Sequence, residues 1–333
     1  MPQTDTAGAP EAVLLLNVGS PDAPTPWAVY RYLRQFLMDG RVLDIAPIPR
    51  WMLVNLVIAP FRSAPVAKKY RRVWTDRGSP LLASTRALAI RLEAATGRTV
   101  RIAMGVGSPS IPEAVAQLRG FARVIVVPLF PHYASATTGS VVAAVSEAFA
   151  QGDPTPTLEF RAPFGHERGF LDVLAESVCP HLSDVTHLLC SFHGLPERQV
   201  RKLDNQCLTP GCCERPQAAR WSCYRAACLD TANGLRARLS GVDVSVSFQS
   251  RLGRDPWLGP DTVSELRRLA AEKRRVAVVC PSFVTDCLET LDEIGVEARE
   301  DFVKAGGTEL VVVPCLNEGE AWVLWLAGWV SRP

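Results

Sequence analysis

Short apolar runs, each closed by turn-forming or polar residues, divide the chain. AVLLLNV (12–18) is continuous rather than alternating and ends at Gly19, Ser20 and Pro21, the pattern of a strand buried on both faces of a parallel sheet. TVRIAM (99–104) and ARVIVVPLF (122–130) read the same way in the first half. THLLCSF (186–192), VDVSVSF (242–248), RRVAVVC (274–280) and ELVVVP (309–314) do so in the second. Between them the spacing turns helical, over TPWAVYRYLRQFLMD (25–39) and near 138–150, 222–240, 261–273, 286–304 and 317–330. Strands alternating with helices predict an α/β protein whose parallel sheets carry helices on both faces. Two such sets, parted at DPTPT within 150–170, predict two similar domains, 1–160 and 161–333.

A length of 333 residues suits two domains of ordinary size. With 47% hydrophobic and 21% charged residues the composition is that of a soluble globular protein. Lys+Arg 36 against Asp+Glu 34 gives a net charge of +2, without the basic excess of a nucleic-acid binder. No apolar run has transmembrane length. The start, MPQTDTAGAPEA, lacks a signal peptide's basic and apolar regions, so a cytoplasmic location is expected. RWMLVNLVIAPF (50–61) is apolar but too short to span a bilayer. It is either a buried helix or a lip at a cleft mouth that touches a membrane. Arg50, Arg62, Lys68, Lys69, Arg71 and Arg72 around it favour an anionic surface.

In open parallel sheets, ligands sit beyond the carboxyl ends of the strands. Those exits here are GSPD, PHYASATTGS, HGLPERQ, QSRLGRDPWL and PSFVTDCLETLDE, all rich in polar or aromatic residues. No Walker-type loop occurs and no GxGxxG follows a strand, so a nucleotide cofactor has no support. His193 stands at the end of its strand, as a base or metal ligand or as a histidine bonded to backbone. In DCLETLDE, Asp286, Glu289 and Glu293 fall at i, i+3 and i+7 and share one face of an α-helix. Asp286 and Glu289 also fit a capping box, and Glu293 a solvated face. A row of carboxylates opening at a strand exit suits proton transfer or a divalent cation.

SFHGLPER (191–198), PLFPHYASATTGS (128–140), SFQSRLGRDPWL (247–258) and CPSFVTDCLETLDEIG (280–295) closely resemble the signatures of the ferrochelatase family. LLLNVGSPDAPTPWAVYRYLRQFLMD (14–39), RGSPLL (77–82) and VPCLNEGEAW (313–322) extend the match over roughly 12–330. The resemblance implies the chelatase fold, two Rossmann-like domains with a porphyrin cleft between them. It implies insertion of Fe2+, a substrate, into a porphyrin, with release of two protons. His193 would be the base for the pyrrole protons or a ligand of the iron, with Glu289 facing it and Glu293 and Asp286 extending an acidic path. Tyr133 would line the metal side, Trp257 would form an aromatic wall, and Val18, Phe36 and Leu37 would line the macrocycle or pocket lip. Arg31, Arg34, Ser135 and Thr138 are loose candidates for the propionates. The family's general look favours protoporphyrin over coproporphyrin. In MGVGSPS (104–110), Gly105 and Val106 replace an Arg-Tyr pair common in the family. The rivals are a cobalt or nickel chelatase, a non-catalytic haem- or metal-binding module, and a redox sensor of chelatase ancestry.

Ten cysteines occur, five of them within 207–228 as C-x4-CC-x9-C-x4-C: Cys207, Cys212, Cys213, Cys223 and Cys228. A disulfide framework is not expected in a reducing compartment, and thiolates attract soft metals. The C-x2-C knuckle usual for zinc is missing, while four-cysteine ligation of a 2Fe-2S cluster tolerates x4 spacing. The insert resembles that of bacterial ferrochelatases with an internal cluster. By that resemblance Cys207, Cys223, Cys228 and one of Cys212 and Cys213 are the expected ligands, with zinc or free thiols as alternatives. Cys179, Cys190, Cys280 and Cys315 read as small buried hydrophobes.

Overall fold

The computed structural model describes residues 10–203, 206–215, 223–251, 253 and 255–332. The apolar runs form strands β1 (Glu11–Gly19), β2 (Thr99–Val106), β3 (Arg123–Pro128), β5 (His187–His193), β6 (Asp243–Gln249), β7 (Val276–Val279) and β8 (Leu310–Val312). β4 (Thr157–Phe160) is additional. It carries no apolar run because none of its four residues is buried, and its Glu159 pairs with Arg161 at 3.0 Å. All pairing is parallel, in two four-stranded sheets of order β2-β1-β3-β4 and β6-β5-β7-β8. The expected pair of α/β sheets is therefore observed, and the two share one topology.

The helices are α1 (Pro26–Leu37), α2 (Pro47–Met52), α3 (Ala59–Val73), α4 (Pro80–Thr96), α5 (Ile111–Leu118), α6 (Ser140–Ala150), α7 (Arg168–Val178), α8 (Glu197–Leu203), α9 (Tyr224–Arg236), α10 (Thr262–Ala271), α11 (Arg299–Lys304) and α12 (Glu320–Val330). Local chemistry sets several starts. Thr25 accepts from the Ala28 N–H ahead of Pro26 at α1, Ser110 and Glu113 form a capping box at α5, and Asp261 accepts from the Ser264 N–H at α10. Three further segments, Leu53–Ile58, Ser135–Gly139 and Glu289–Ala298, are π-helical, a wider winding that often marks functional sites.

Ala12 to Leu16 of β1 are wholly buried, as are Leu188 to Cys190 of β5, which explains their unbroken apolar sequence. The halves do not pack separately. α12, from the end of the chain, lies against α4 and α7. Its Trp322 and Trp329 stand 5.7 and 5.3 Å from Phe164, and Trp322, Trp325 and Trp329 stack in sequence at 5.4 Å. In each sheet the chain places its second strand on one side of the first and its third strand on the other. The crevice this opens lies at the carboxyl ends of β1 and β3, and of β5 and β7.

Candidate active site

Both crevices feed one cleft of about 880 Å³. Val18 from β1 and Tyr32, Phe36 and Leu37 from α1 form an apolar side. His132 and Thr137 follow β3, His193 and Gly194 close β5, Ser250 and Trp257 follow β6, and Ser282, Phe283 and Glu289 follow β7. The wall therefore includes six of the expected residues: Val18, Phe36, Leu37, Trp257, His193 and Glu289.

His193 Nδ1 lies 2.7 Å from the Gly194 carbonyl oxygen. A carbonyl only accepts, so Nδ1 carries a proton, and in the neutral ring Nε2 keeps its lone pair. Phe283 meets the imidazole edge-on at 6.2 Å. The adjoining residue has to be glycine, because a Cβ on Gly194 would stand 2.7 Å from the Gln249 carbonyl oxygen and 3.1 Å from Trp257 Cε3. The missing side chain lets the indole rest against the chain beside the imidazole.

The acidic segment departs from the expected α-helical face. Its helix opens at Glu289, after Asp286, and is π-wound, so the i, i+3, i+7 register does not apply. Asp286 accepts from Asn317 Nδ2 at 2.7 Å, Thr290 Oγ1 at 2.9 Å and the Cys315 N–H at 3.3 Å. Its carboxylate ties the loop after β7 to the loop before α12. No return bond from Glu289 completes a capping box among the described residues. Glu293 stands about one π-turn beyond Glu289. Its carboxylate accepts from the Ser250 N–H and Oγ, both at 2.7 Å. Burial pushes the Glu293 carboxyl above its ordinary range. Ser250 opposes that shift, the charge of Glu289 adds to it, and His193 opposes it.

Several wall residues went unread in the sequence. Tyr70 is buried and Tyr32 half-buried near Glu289, and desolvation followed by nearby charge raises both phenols. His132 Nε2 lies 2.8 Å from Thr231 Oγ1, whose proton goes to the Gly165 carbonyl at 2.8 Å, so Nε2 is the donor. Burial holds His132 down to about 3, hence neutral. These residues sit inside helices or next to stronger signals, and only the proximity to Glu289 or His193 marks them. Tyr133 is half-buried with its hydroxyl against the Ser135–Gly139 turn, while its neighbours His132, Ala134, Ala136 and Thr137 reach the cleft. Arg31 pairs with Asp22 at 2.8 Å and Arg34 is exposed. The cationic groups on the wall are instead Arg62 and Arg198. At the Gly105 departure, a Cβ would meet Val141 Cγ1 at 3.2 Å and the Val18 carbonyl oxygen at 3.5 Å.

The segment 50–61 is not a buried helix. Ile48 is 75% exposed, Phe61 is 74% exposed, and Trp51, Met52, Leu56 and Val57 are about half exposed, while Val54 and Ala59 face inward. α2, the π-turn Leu53–Ile58 and α3 form a lip; Leu53, Val57, Ile58 and Phe61 also line the cleft, while Ile48, Trp51, Met52 and Leu56 do not. Of its expected basic residues, Lys69 and Arg72 turn to the π-helix Glu289–Ala298. Arg72 Nε stands 2.7 Å from Asp292 Oδ1, and Lys69 Nζ stands 2.6 Å from Glu297 Oε2.

Four of the five clustered thiols, Cys207, Cys212, Cys223 and Cys228, are buried, and Cys213 is half-buried. Cys207 and Cys223 Sγ are 3.2 Å apart and Cys212 and Cys213 Sγ 3.8 Å. Burial pushes Cys213 up to about 11 and Cys228 well above the usual thiol range. Among the described residues, no three His, Cys, Asp or Glu side chains converge on one point that could hold a metal ion.

The ferrochelatase family model matches residues 10–333. The chain belongs to the ferrochelatase family. A ferrochelatase of Azotobacter vinelandii is 45% identical over 335 residues, covering 97% of this chain and 98% of that protein. One of Pseudomonas putida is 42% identical over 328 residues (95% and 97%), and one of Legionella pneumophila strain Philadelphia 1 is 38% identical over 316 residues (93% and 96%). The solved structure of CbiX, described as the terminal enzyme of sirohaem biosynthesis in denitrifying bacteria, has a TM-score of 0.51 at 13% identity, covering 97% of this chain and all of that one. SirB from Bacillus subtilis with Fe3+ has a TM-score of 0.51 at 13% identity, covering 96% and 93%. These two likenesses carry the fold alone. As a ferrochelatase, the chain is a metal chelatase of haem biosynthesis, with ferrous iron and a porphyrin as substrates.

Proposed function

We propose that His193 is the base of the insertion reaction in this cleft, with protoporphyrin IX as the porphyrin. The observation that carries the reading is the tautomer that the Gly194 carbonyl selects for neutral His193. Nδ1–H is spent on the Gly194 carbonyl, so Nε2 is the nitrogen available to take a pyrrole proton or meet the iron. Glu289 lines the same wall, and Glu293, raised by burial, is a better proton acceptor than an ordinary carboxylate. Together they take protons away from the macrocycle as the dication enters. Val18, Phe36, Leu37 and Trp257 hold the ring. Arg62 is a cation at the cleft wall for a propionate, and Arg198 is already partly committed to Asp44 and Asp255 at 3.3 and 3.0 Å. The exposed apolar side of the lip suits contact with a bilayer, where a sparingly soluble porphyrin is found. Among the described residues no helix is long and apolar enough to cross a membrane.

The thiol pocket fits a 2Fe-2S cluster. A dinuclear centre asks for two thiols at each iron, not three at one point, and Cys207 and Cys223, 3.2 Å apart, are one close pair of the expected set. Burial keeps the Cys213 and Cys228 thiols protonated unless a cation is present. Cys207, Cys223, Cys228 and one of Cys212 and Cys213 would hold it. Such a cluster would cross-link the segment after α8 to the first turns of α9.

The test is the visible spectrum of fresh protein, followed by anaerobic addition of protoporphyrin IX and Fe2+. The wild type is expected to be brown and to convert the free-base bands to those of haem. His193→Ala is expected to bind porphyrin without metallating it, by a factor of at least 10², and full residual activity would overturn the assignment. Cys207→Ser is expected to bleach the brown absorbance, and an unchanged spectrum would remove Cys207 from the ligand set.

A further inference from the structure

His193 closes a ring of hydrogen bonds drawn from three separate elements. Its N–H donates to Ser282 Oγ at 3.3 Å, in the loop after β7. Its carbonyl oxygen accepts from Tyr224 Oη at 2.8 Å, at the first residue of α9. The two hydroxyls lie 3.0 Å apart. Their directions follow from proton counting. A carbonyl only accepts, so the single Tyr224 proton goes to His193. Ser282 must then donate its own proton to Tyr224 Oη and accept the His193 N–H on a lone pair. Each donor is used once, and the ring closes in one sense only.

The sheet leaves room for this arrangement. On the β6 side the register reaches His193 opposite Gln249, whereas on the β7 side it ends at Cys190 opposite Val279. The two hydroxyls replace the ladder partners that β7 would have offered. The next carbonyl along the chain, that of Gly194, accepts Nδ1–H at 2.7 Å. The peptide held by the ring is thus the immediate neighbour, across the Gly194 Cα, of the one that selects the imidazole tautomer.

We infer that Tyr224 and Ser282 are positioning residues of metal insertion: by fixing the backbone of His193 they keep Nδ1 protonated and Nε2 bare toward the porphyrin. The inference rests on the reading of His193 as the base. Tyr224 lies between Cys223 and Cys228, so the same hydroxyl ties the base to the thiol pocket.

The test compares Tyr224→Phe, Ser282→Ala and Ser282→Thr with the wild type and His193→Ala. It uses kinetics with protoporphyrin IX and Fe2+, and 15N spectra of histidine-labelled oxidised protein, the His193 signals being assigned by their loss in His193→Ala. In the wild type His193 is expected to show a protonated Nδ1 and a bare Nε2. Tyr224→Phe and Ser282→Ala are expected to mix the two tautomers and to lower kcat about tenfold, with the porphyrin KM within twofold. Ser282→Thr, which keeps a hydroxyl, is expected to restore both. A wild-type tautomer or wild-type kcat in both hydroxyl-deleted variants, beside an inactive His193→Ala, would overturn the clamp and leave the base standing. An active His193→Ala would overturn the base itself. Ser282→Ala carries the test where Tyr224→Phe does not fold, since it removes no ring and no volume beyond one oxygen.

Discussion

Single residues at this site are set by what their neighbours leave available. Glu293 is the clearest case, since its acidity is a balance between burial, which favours the protonated form, and Ser250, which favours the ionised one. Ser250 holds that position with φ at 67°, in the left-handed region, a conformation that costs a non-glycine residue about 1 kcal/mol. If Glu293 must be ionised to accept a proton, turnover falls as pH drops through its raised value. Ser250→Ala removes one bond to the charged form, so that limb should move up by about one pH unit. A profile of kcat against pH checks this, and an unmoved limb would detach Glu293 from proton transfer. The sign for stability is the reverse of the usual carboxylate case. A raised folded value favours the protonated form, so the contribution of Glu293 is greatest below its unfolded value and is lost as pH rises through the folded one.

At the scale of elements, the π-helix Glu289–Ala298 is held by the lip. Asp292 has no exposure at all, and burial raises its carboxyl against the pull of Arg72. Arg72 and Lys69 reach it from α3, while Leu288, Val29 and Tyr70 pack together beside the pair. The segment that carries Glu289 and Glu293 is therefore anchored to the helix that walls the cleft. Arg72→Ala should leave a buried carboxylate without its main partner. The expected loss is about 2 kcal/mol, less than the 3–5 of a fully buried pair because the arginine is 40% exposed. Adding Asp292→Asn should recover part of that loss, since the charge needing a partner is gone. Urea unfolding midpoints of the single and double variants provide the measurement, and a neutral Arg72→Ala would mean that Lys69 suffices.

For the whole molecule, one side of the lip faces the cleft and the other displays its largest side chains outward. If that outer side meets a bilayer, Ile48→Glu with Leu56→Glu, both exposed and off the cleft wall, should lower binding to anionic vesicles at least tenfold. Activity on porphyrin delivered in detergent should change less than twofold. Vesicle co-sedimentation separates the two effects, and equal binding would assign the patch to something other than lipid. The packing of α12 on α4 acts at the same scale. It joins the end of the chain to its first half, with Leu88 and Leu92 of α4 in one buried cluster with Trp322 and Leu326, so the two sheets are parts of one core rather than independent units.

The amino-acid order by itself determined seven of the eight strands, the parallel pairing and the exits at which chemistry gathers, because burial on both faces of a sheet leaves an unbroken apolar run. It also pointed to His193, Glu289 and Trp257 through long motifs. It could not foresee β4, since a strand with no buried residue needs no apolar run, nor choose between a buried helix and an exposed lip at 50–61, since an apolar run looks the same whether it faces core or solvent. The winding of the acidic helix was hidden as well. A π-helix differs from an α-helix in hydrogen-bond register, which side-chain spacing does not record, and the partners of its acidic residues, Ser250, Lys69 and Arg72, come from other elements. The ring that Tyr224 and Ser282 form around His193 was decided by tertiary structure for the same reason. Hydrogen bonds among three elements depend on how the sheets and helices meet, and no local spacing records it.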